Sequence, residues 1–186
     1  MKPRSGIIRD GSATHPDSAT LHPGYASLED EAMRDIHEWF ASYADDHQNS
    51  TNRAIHWVCV PVIMWCVIAA LWTIPSTTAW TRPGAWAVLA MFLGFLFYHR
   101  LSRKLGYAMA IVLIVSGAIV WALYGALGPR DLLILAAVLF VLAWIGQFIG
   151  HAIEGRRPAF LTNVVQLLIG PAWLMGKLLR RLGIGY

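Results

Sequence analysis

The stretch from Ile55 to Ile74, IHWVCVPVIMWCVIAALWTI, decides the fold. It runs about 20 residues without an acid, lysine or arginine, and a helix rising about 1.5 Å per residue carries it across a hydrocarbon core of about 30 Å. Tyr107–Leu127 is a second uncharged run of that length, and Leu132–Ile149 is a slightly shorter third. Ala85–Tyr98 is the weak one, crossing only if Pro83, Gly84 and its flanks are included. The expected architecture is all-α. It is a bundle of four transmembrane helices, about 55–74, 84–99, 107–127 and 132–151, inside a membrane domain covering 27–186.

Composition agrees. Of 186 residues, 56% are hydrophobic and 14% charged, whereas soluble domains carry roughly 25% charged residues. The same figures exclude disorder for most of the chain. Two cysteines exclude a disulfide scaffold. Cys59 and Cys66 lie about 10 Å apart along one span, too far to pair, and read as buried apolar residues.

Charge is divided unevenly. Residues 1–53 hold nine acids and five bases, whereas residues 54–186 hold ten bases and only Asp131 and Glu154 as acids. The bases sit at the ends of apolar runs, so the basic balance points to a lipid bilayer and not to nucleic acid. Arg53, Arg100, Arg103, Lys104, Arg156, Arg157 and the C-terminal bases fall on one side, Arg82 and Arg130 on the other. The positive-inside rule makes the first side cytoplasmic and puts both termini there.

Residues 1–26 lack an apolar core and are rich in Ser, Thr, Pro and Gly, so a disordered polar tail is expected, with no secretory signal. Ser27 and Asp30 read as a capping box, and Met33, Ile36, Phe40 and Tyr43 follow at helical spacing. They predict an amphipathic helix over about 28–45, on the membrane or against the bundle. Ala159–Met175 is apolar but interrupted by Asn163, Gln166, Gly170 and Pro171, and reads as an interfacial or re-entrant segment. The tail KLLRRL, Lys177–Leu182, suits anionic headgroups.

Four of the seven histidines converge on the cytoplasmic boundary. His47 and His56 flank the start of the first span, His99 ends the second, and His151 ends the fourth. Ionisable groups at a bundle interior are costly and usually functional, and imidazole is the commonest ligand for iron, zinc and copper. Interface histidines also occur simply because the ring is amphipathic, and His37 reads as a solvated face residue. His47 and His56 would face opposite sides of an unbroken helix, but Asn49-Ser50-Thr51-Asn52 can interrupt it and turn His47 back. Gln147, His151 and Glu154 share one helical face. Glu154 can be a ligand, a group orienting an imidazole, a general base, or half of an ion pair with Arg156 or Arg157.

Two motifs carry more. HQNSTNRAIHWVCVP spans His47–Pro61, with His47, Asn52, His56 and Pro61 at its fixed points. WIGQFIGHAIEGRRPA spans Trp144–Ala159, with Gln147, Gly150, His151, Glu154 and Pro158. In this order, around this hydropathy profile, they resemble the fungal-type 2-hydroxy fatty acid dioxygenases, small membrane proteins, over about residues 38–175. The family glycine three residues after the second histidine is Cys59 here, a departure that bears on helix packing and the substrate slot. His99 lies outside both motifs and is not carried over.

The resemblance implies Fe(II)-dependent α-oxidation with O2, a 2-hydroxy fatty acid losing one carbon as CO2. His47, His56 and His151 would hold the iron. Glu154 would orient a histidine or take the hydroxyl proton. Asn52, Gln147 and Arg157 would serve substrate binding or support the ligands. Three histidines alone suit zinc as well as iron, so a zinc-dependent membrane hydrolase, a haem-binding protein and a non-catalytic adaptor are the rival readings. The oligomeric state has no signal in the sequence.

Overall fold

The computed structural model describes residues 36–75, 82–161 and 163–186. Every described residue belongs to one compact unit, Arg34–Tyr186. The expected polar tail, the capping box at Ser27 and Asp30, and Met33 lie outside the described residues.

All described secondary structure is helical. In chain order these are α1, Ile36–Asp45; α2, Ser50–Trp72; α3, Ala85–Leu101; α4, Arg103–Glu154; a short 3-10 turn, Ala159–Leu161; and α5, Gln166–Arg181. Asn49 separates α1 from α2. The first helix has already ended at Asp45, and the Asn49 Oδ1 starts the next by accepting from Thr51 N at 2.8 Å and Asn52 N at 3.3 Å. Ser102 does the same between α3 and α4, its Oγ accepting from Leu105 N.

The third and fourth apolar runs emerge as one element of 52 residues with a single non-helical residue, Gly128, at φ 77° and ψ 171°. Only glycine occupies that region without strain, and Pro129 cannot donate the bond that would carry the helix through. The two arms fold back on each other there, so Val120 of the first shares one core with Leu132 and Ala136 of the second, and Ser116, Leu123, Leu135 and Leu139 line one pocket. Gly155, at φ 72°, ends α4 as a left-handed cap.

Two helices are long and apolar enough to cross a membrane: α2, with mean hydropathy 2.2, and α4, with 2.6. The apolar helix α3 is shorter, at 17 residues, in keeping with the weakness of its run. Only 28% and 22% of the most apolar windows of α2 and α4 are buried. Large side chains such as Ile111, Ile114, Trp121 and Leu142 instead face outward. The core helix of a soluble protein would be mostly enclosed.

Within the bundle, Cys66, Ile68, Ala69, Ala87, Leu113, Val120, Leu132 and Ala136 form one core. A second lies at the end carrying α1 and α5. There Ile36, Trp39, Phe40 and Tyr43 of α1 meet Ile169, Ala172, Trp173 and Leu179 of α5. The amphipathic stripe read from the sequence is this face, and each such large side chain contributes about 1.5–3 kcal/mol by leaving water. Helix α5 differs from the interrupted segment expected there, since it continues through Pro171. Pro171 lies early in the helix and removes one bond, to the carbonyl four residues before it, while the buried face of Ile169, Ala172 and Trp173 holds the turn in place.

Candidate metal centre

His47 follows α1, His56 sits in the second turn of α2, and His151 in the last turn of α4. They meet. None is more than 5% exposed, and one ring nitrogen from each lies within 4.8 Å of the other two. The non-helical link over 46–49 allows this, because it turns His47 back onto its neighbour nine residues on.

Hydrogen bonding fixes the tautomers. His47 Nδ1 donates to the Tyr43 carbonyl at 2.6 Å, and His56 Nδ1 donates to the Asn52 carbonyl at 2.9 Å. Both Nε2 atoms therefore carry bare lone pairs, and they face each other at 3.0 Å. Two lone pairs that close repel unless a proton or a metal ion lies between them. His151 Nδ1 is buried with no hydrogen-bond partner. Three neutral imidazoles, two with their second nitrogen tied to a carbonyl, make a donor set that fits a divalent transition metal. Burial pushes the His47 imidazole below its ordinary pKa, against the opposing pull of its bond to Tyr43 and of Asp46 and Glu154. The ring thus stays neutral and ligand-competent at physiological pH.

The supporting shell is built from the turn before α2 and the last turns of α4. Glu154 Oε1 accepts from Gln48 N at 2.8 Å, its Oε2 from Asn49 N at 2.8 Å and from Asn52 Nδ2 at 3.0 Å. Its carboxylate thus grips the turn between His47 and Asn52. Asn52 is fully buried and packs on Gly150, where any Cβ would overlap its Oδ1. The ion pair of Arg156 is with Asp46, at 3.2 Å, and Arg157 is exposed. His99 is apart from the three, its ring between Phe95 and Tyr107.

Sequence reasoning passed over Tyr43 and Trp173. The Tyr43 ring stacks on His47 at 4.1 Å and 9°, and Trp173 tilts against both. Tyr43 precedes His47 by one helical turn, a spacing that could have flagged it. Trp173 is 2% exposed. Its indole carries Lys177 Nζ at 3.4 Å from the ring centre. That ammonium is brought down to a pKa of about 8 by burial first, then by Arg53, Arg180 and Arg181.

A cavity of about 350 Å³ opens from the three rings and runs along α2. Its polar lining is the histidines, Tyr43, Gln147 and Gln166, and its apolar lining includes Val60, Met64, Leu71 and Met91. Residues 33–182 match the family described as "2-hydroxy-palmitic acid dioxygenase Mpo1-like". The chain belongs to the Mpo1-like family. The match takes in all three buried histidines. Over 156 residues, 82% of this chain and 84% of the relative, this Mpo1-like chain is 29% identical to the 2-hydroxy-palmitic acid dioxygenase MPO1 of Saccharomyces cerevisiae. No solved structure matches it at a significant level.

Proposed function

We propose that this chain is an Fe(II)-dependent dioxygenase that shortens 2-hydroxy fatty acids by one carbon, releasing CO2, with the reacting end at the cytoplasmic boundary of a membrane. The observation that carries the reading is the meeting of His47 and His56 Nε2 atoms with His151 at the head of an apolar cavity. The yeast relative, named a 2-hydroxy-palmitic acid dioxygenase, supplies the substrate class.

The stoichiometry is self-contained. R-CHOH-COOH and O2 become R-COOH, CO2 and H2O; the acid gives up four electrons and O2 accepts four, so no further reductant enters. His47, His56 and His151 would hold the iron, which when bound supplies the redox chemistry with O2 that no side chain here offers. The chain's own residues do the rest. The Tyr43 and Asn52 carbonyls hold two imidazoles with Nε2 inward. Glu154 holds the turn that carries them. Between His56 and Leu71 the cavity follows α2 for about 22 Å, at about 1.5 Å per residue. Each CH2 of the acyl chain that it shelters from water contributes about 0.8 kcal/mol. Gln147 faces the polar head of the substrate, and Arg157 offsets its carboxylate on approach.

The outward-facing apolar side chains of α2 and α4 favour a bilayer around the bundle, with α2, α3 and the two arms of α4 as four spans. Both termini then share the basic, cytoplasmic side. A zinc hydrolase would need a free base beside the metal, and Glu154, the only acid near the cluster in α4, already accepts several N–H groups. Purified protein loaded with Fe(II) and given a panel of 2-hydroxy fatty acids should yield the acid one carbon shorter only when O2 is present. Metal-loaded protein giving no such product across the panel would overturn the proposal.

A further inference from the structure

Gln166 opens α5. It lines the same cavity as Gln147 and His151, is 7% exposed, and has an Oε1 with no hydrogen-bond partner. A buried carbonyl oxygen without a donor costs about 1–3 kcal/mol, so the cavity holds an acceptor that no protein group satisfies. The backbone around it offers no relief. Gln166 N donates to Asn163 O, and the next two amides donate to Val164 O and Val165 O, so the first turn is closed on itself.

The substrate supplies what is missing. An ionised fatty acid head has acceptors only. A 2-hydroxy acid adds one O–H donor, on the carbon beside the carboxylate. Several other acceptors around the three rings are already committed. Glu154 is filled by the N–H groups of residues 48, 49 and 52. The Tyr43 and Asn52 carbonyls hold imidazole protons. The inward Nε2 atoms face each other.

We propose that Gln166 is the residue that distinguishes a 2-hydroxy acid from the unsubstituted acid, its buried Oε1 accepting the hydrogen bond of the 2-hydroxyl. Gln166 is thus a specificity determinant that touches substrate, not a ligand of the metal or a proton carrier. The inference rests on the proposed substrate, and it adds a sign to the energetics. Removing an unpartnered acceptor relieves the free protein, whereas removing a structural hydrogen bond would weaken it.

The test uses full-length protein in detergent, as wild type, Gln166→Met and Gln166→Leu. A fluorescent fatty acid is displaced from metal-free protein by 2-hydroxyhexadecanoic acid or by hexadecanoic acid, so that recognition of the hydroxyl by a metal plays no part. Wild type should prefer the hydroxy acid by about tenfold, the worth of one net hydrogen bond. Both variants should bind the two acids within about twofold of each other, with affinity for the unsubstituted acid kept and the melting temperature unchanged or raised. Wild type without a preference, variants that keep the wild-type preference, or variants that lose affinity for both acids alike would each overturn the assignment. Turnover of iron-loaded wild type, run in parallel, separates the two proposals. Preference without chain shortening refutes the reaction and leaves Gln166 standing; chain shortening with preference surviving in both variants refutes Gln166 alone.

Discussion

Cys59 and Gly146 form a pair whose energetics can be worked out. The Cys59 Sγ lies against the α4 backbone so closely that a Cβ on residue 146 would sit 2.8 Å from it. Carbon packs favourably at about 3.5–4.0 Å from its neighbours, so Gly146→Ala forces α2 and α4 apart by about 0.7 Å or drives the sulfur off its rotamer. Overpacking of that kind costs about 1–3 kcal/mol. Alanine returns up to about 1 kcal/mol through its helix preference, leaving a net loss of about 1–2 kcal/mol. For a chain of this size that is about 2–8 °C in Tm. Cys59→Ala removes the obstructing atom and should cost under about 1 kcal/mol alone, because the side chain is only half-buried. The double variant should recover most of the loss, a coupling of about 1–2 kcal/mol. Gly125→Ala is the control, since nothing lies within 4 Å of its Cβ position, and it should hold or raise Tm. Thermal unfolding of the four variants in detergent decides the matter. A Gly146→Ala protein as stable as wild type, or a coupling below about 0.5 kcal/mol, would show that α2 and α4 do not approach as described.

Three further outcomes are expected. His151→Ala should lose bound iron by elemental analysis and lose turnover while keeping its helical circular dichroism; full activity would remove His151 from the centre. Glu154→Ala should weaken metal affinity by about 10–100-fold, as loss of a group that holds ligands in place does, with turnover per bound iron retained. Intact affinity with turnover abolished would instead make Glu154 a general base. The third concerns pH in the metal-free protein. His47 has its folded pKa lowered by burial, so the unfolded chain takes up the proton first. Stability is then full above the unfolded value of about 6.5 and falls as pH drops toward the folded value. Tm followed from pH 8 to 5.5 should decline below about 6.5, and a flat profile would count against a neutral buried ring.

Much of this architecture is visible in one dimension, because the long helices are written as uninterrupted apolar runs. The helices begin and end within a few residues of the runs, and Gly128-Pro129 marks the fold-back. The turn at Asn49 was readable from capping chemistry, and with it the meeting of His47 and His56. What the pattern hid were tertiary pairings. Gln147, His151 and Glu154 share a helical face, yet the first two line the cavity while Glu154 reaches the turn at residues 48–52, a partner over 100 positions away in sequence. Pro171 looked like a break because local rules ignore the packing of Ile169 and Trp173. Tyr43, Trp173 and Gln166 are unremarkable until α1 and α5 are laid against the histidines.

The grip of Glu154 on the turn at residues 48–52 has a topological consequence. A metal shared by His56 and His151 would join points separated by about 95 residues, and closing a loop of that size from an open chain costs about 4–5 kcal/mol of configurational entropy. Here the carboxylate has already closed the ring through Gln48, Asn49 and Asn52. The ion arrives at a circle that is complete without it, so its binding energy goes into holding the ion itself, and a chelator should strip the centre and leave the bundle assembled.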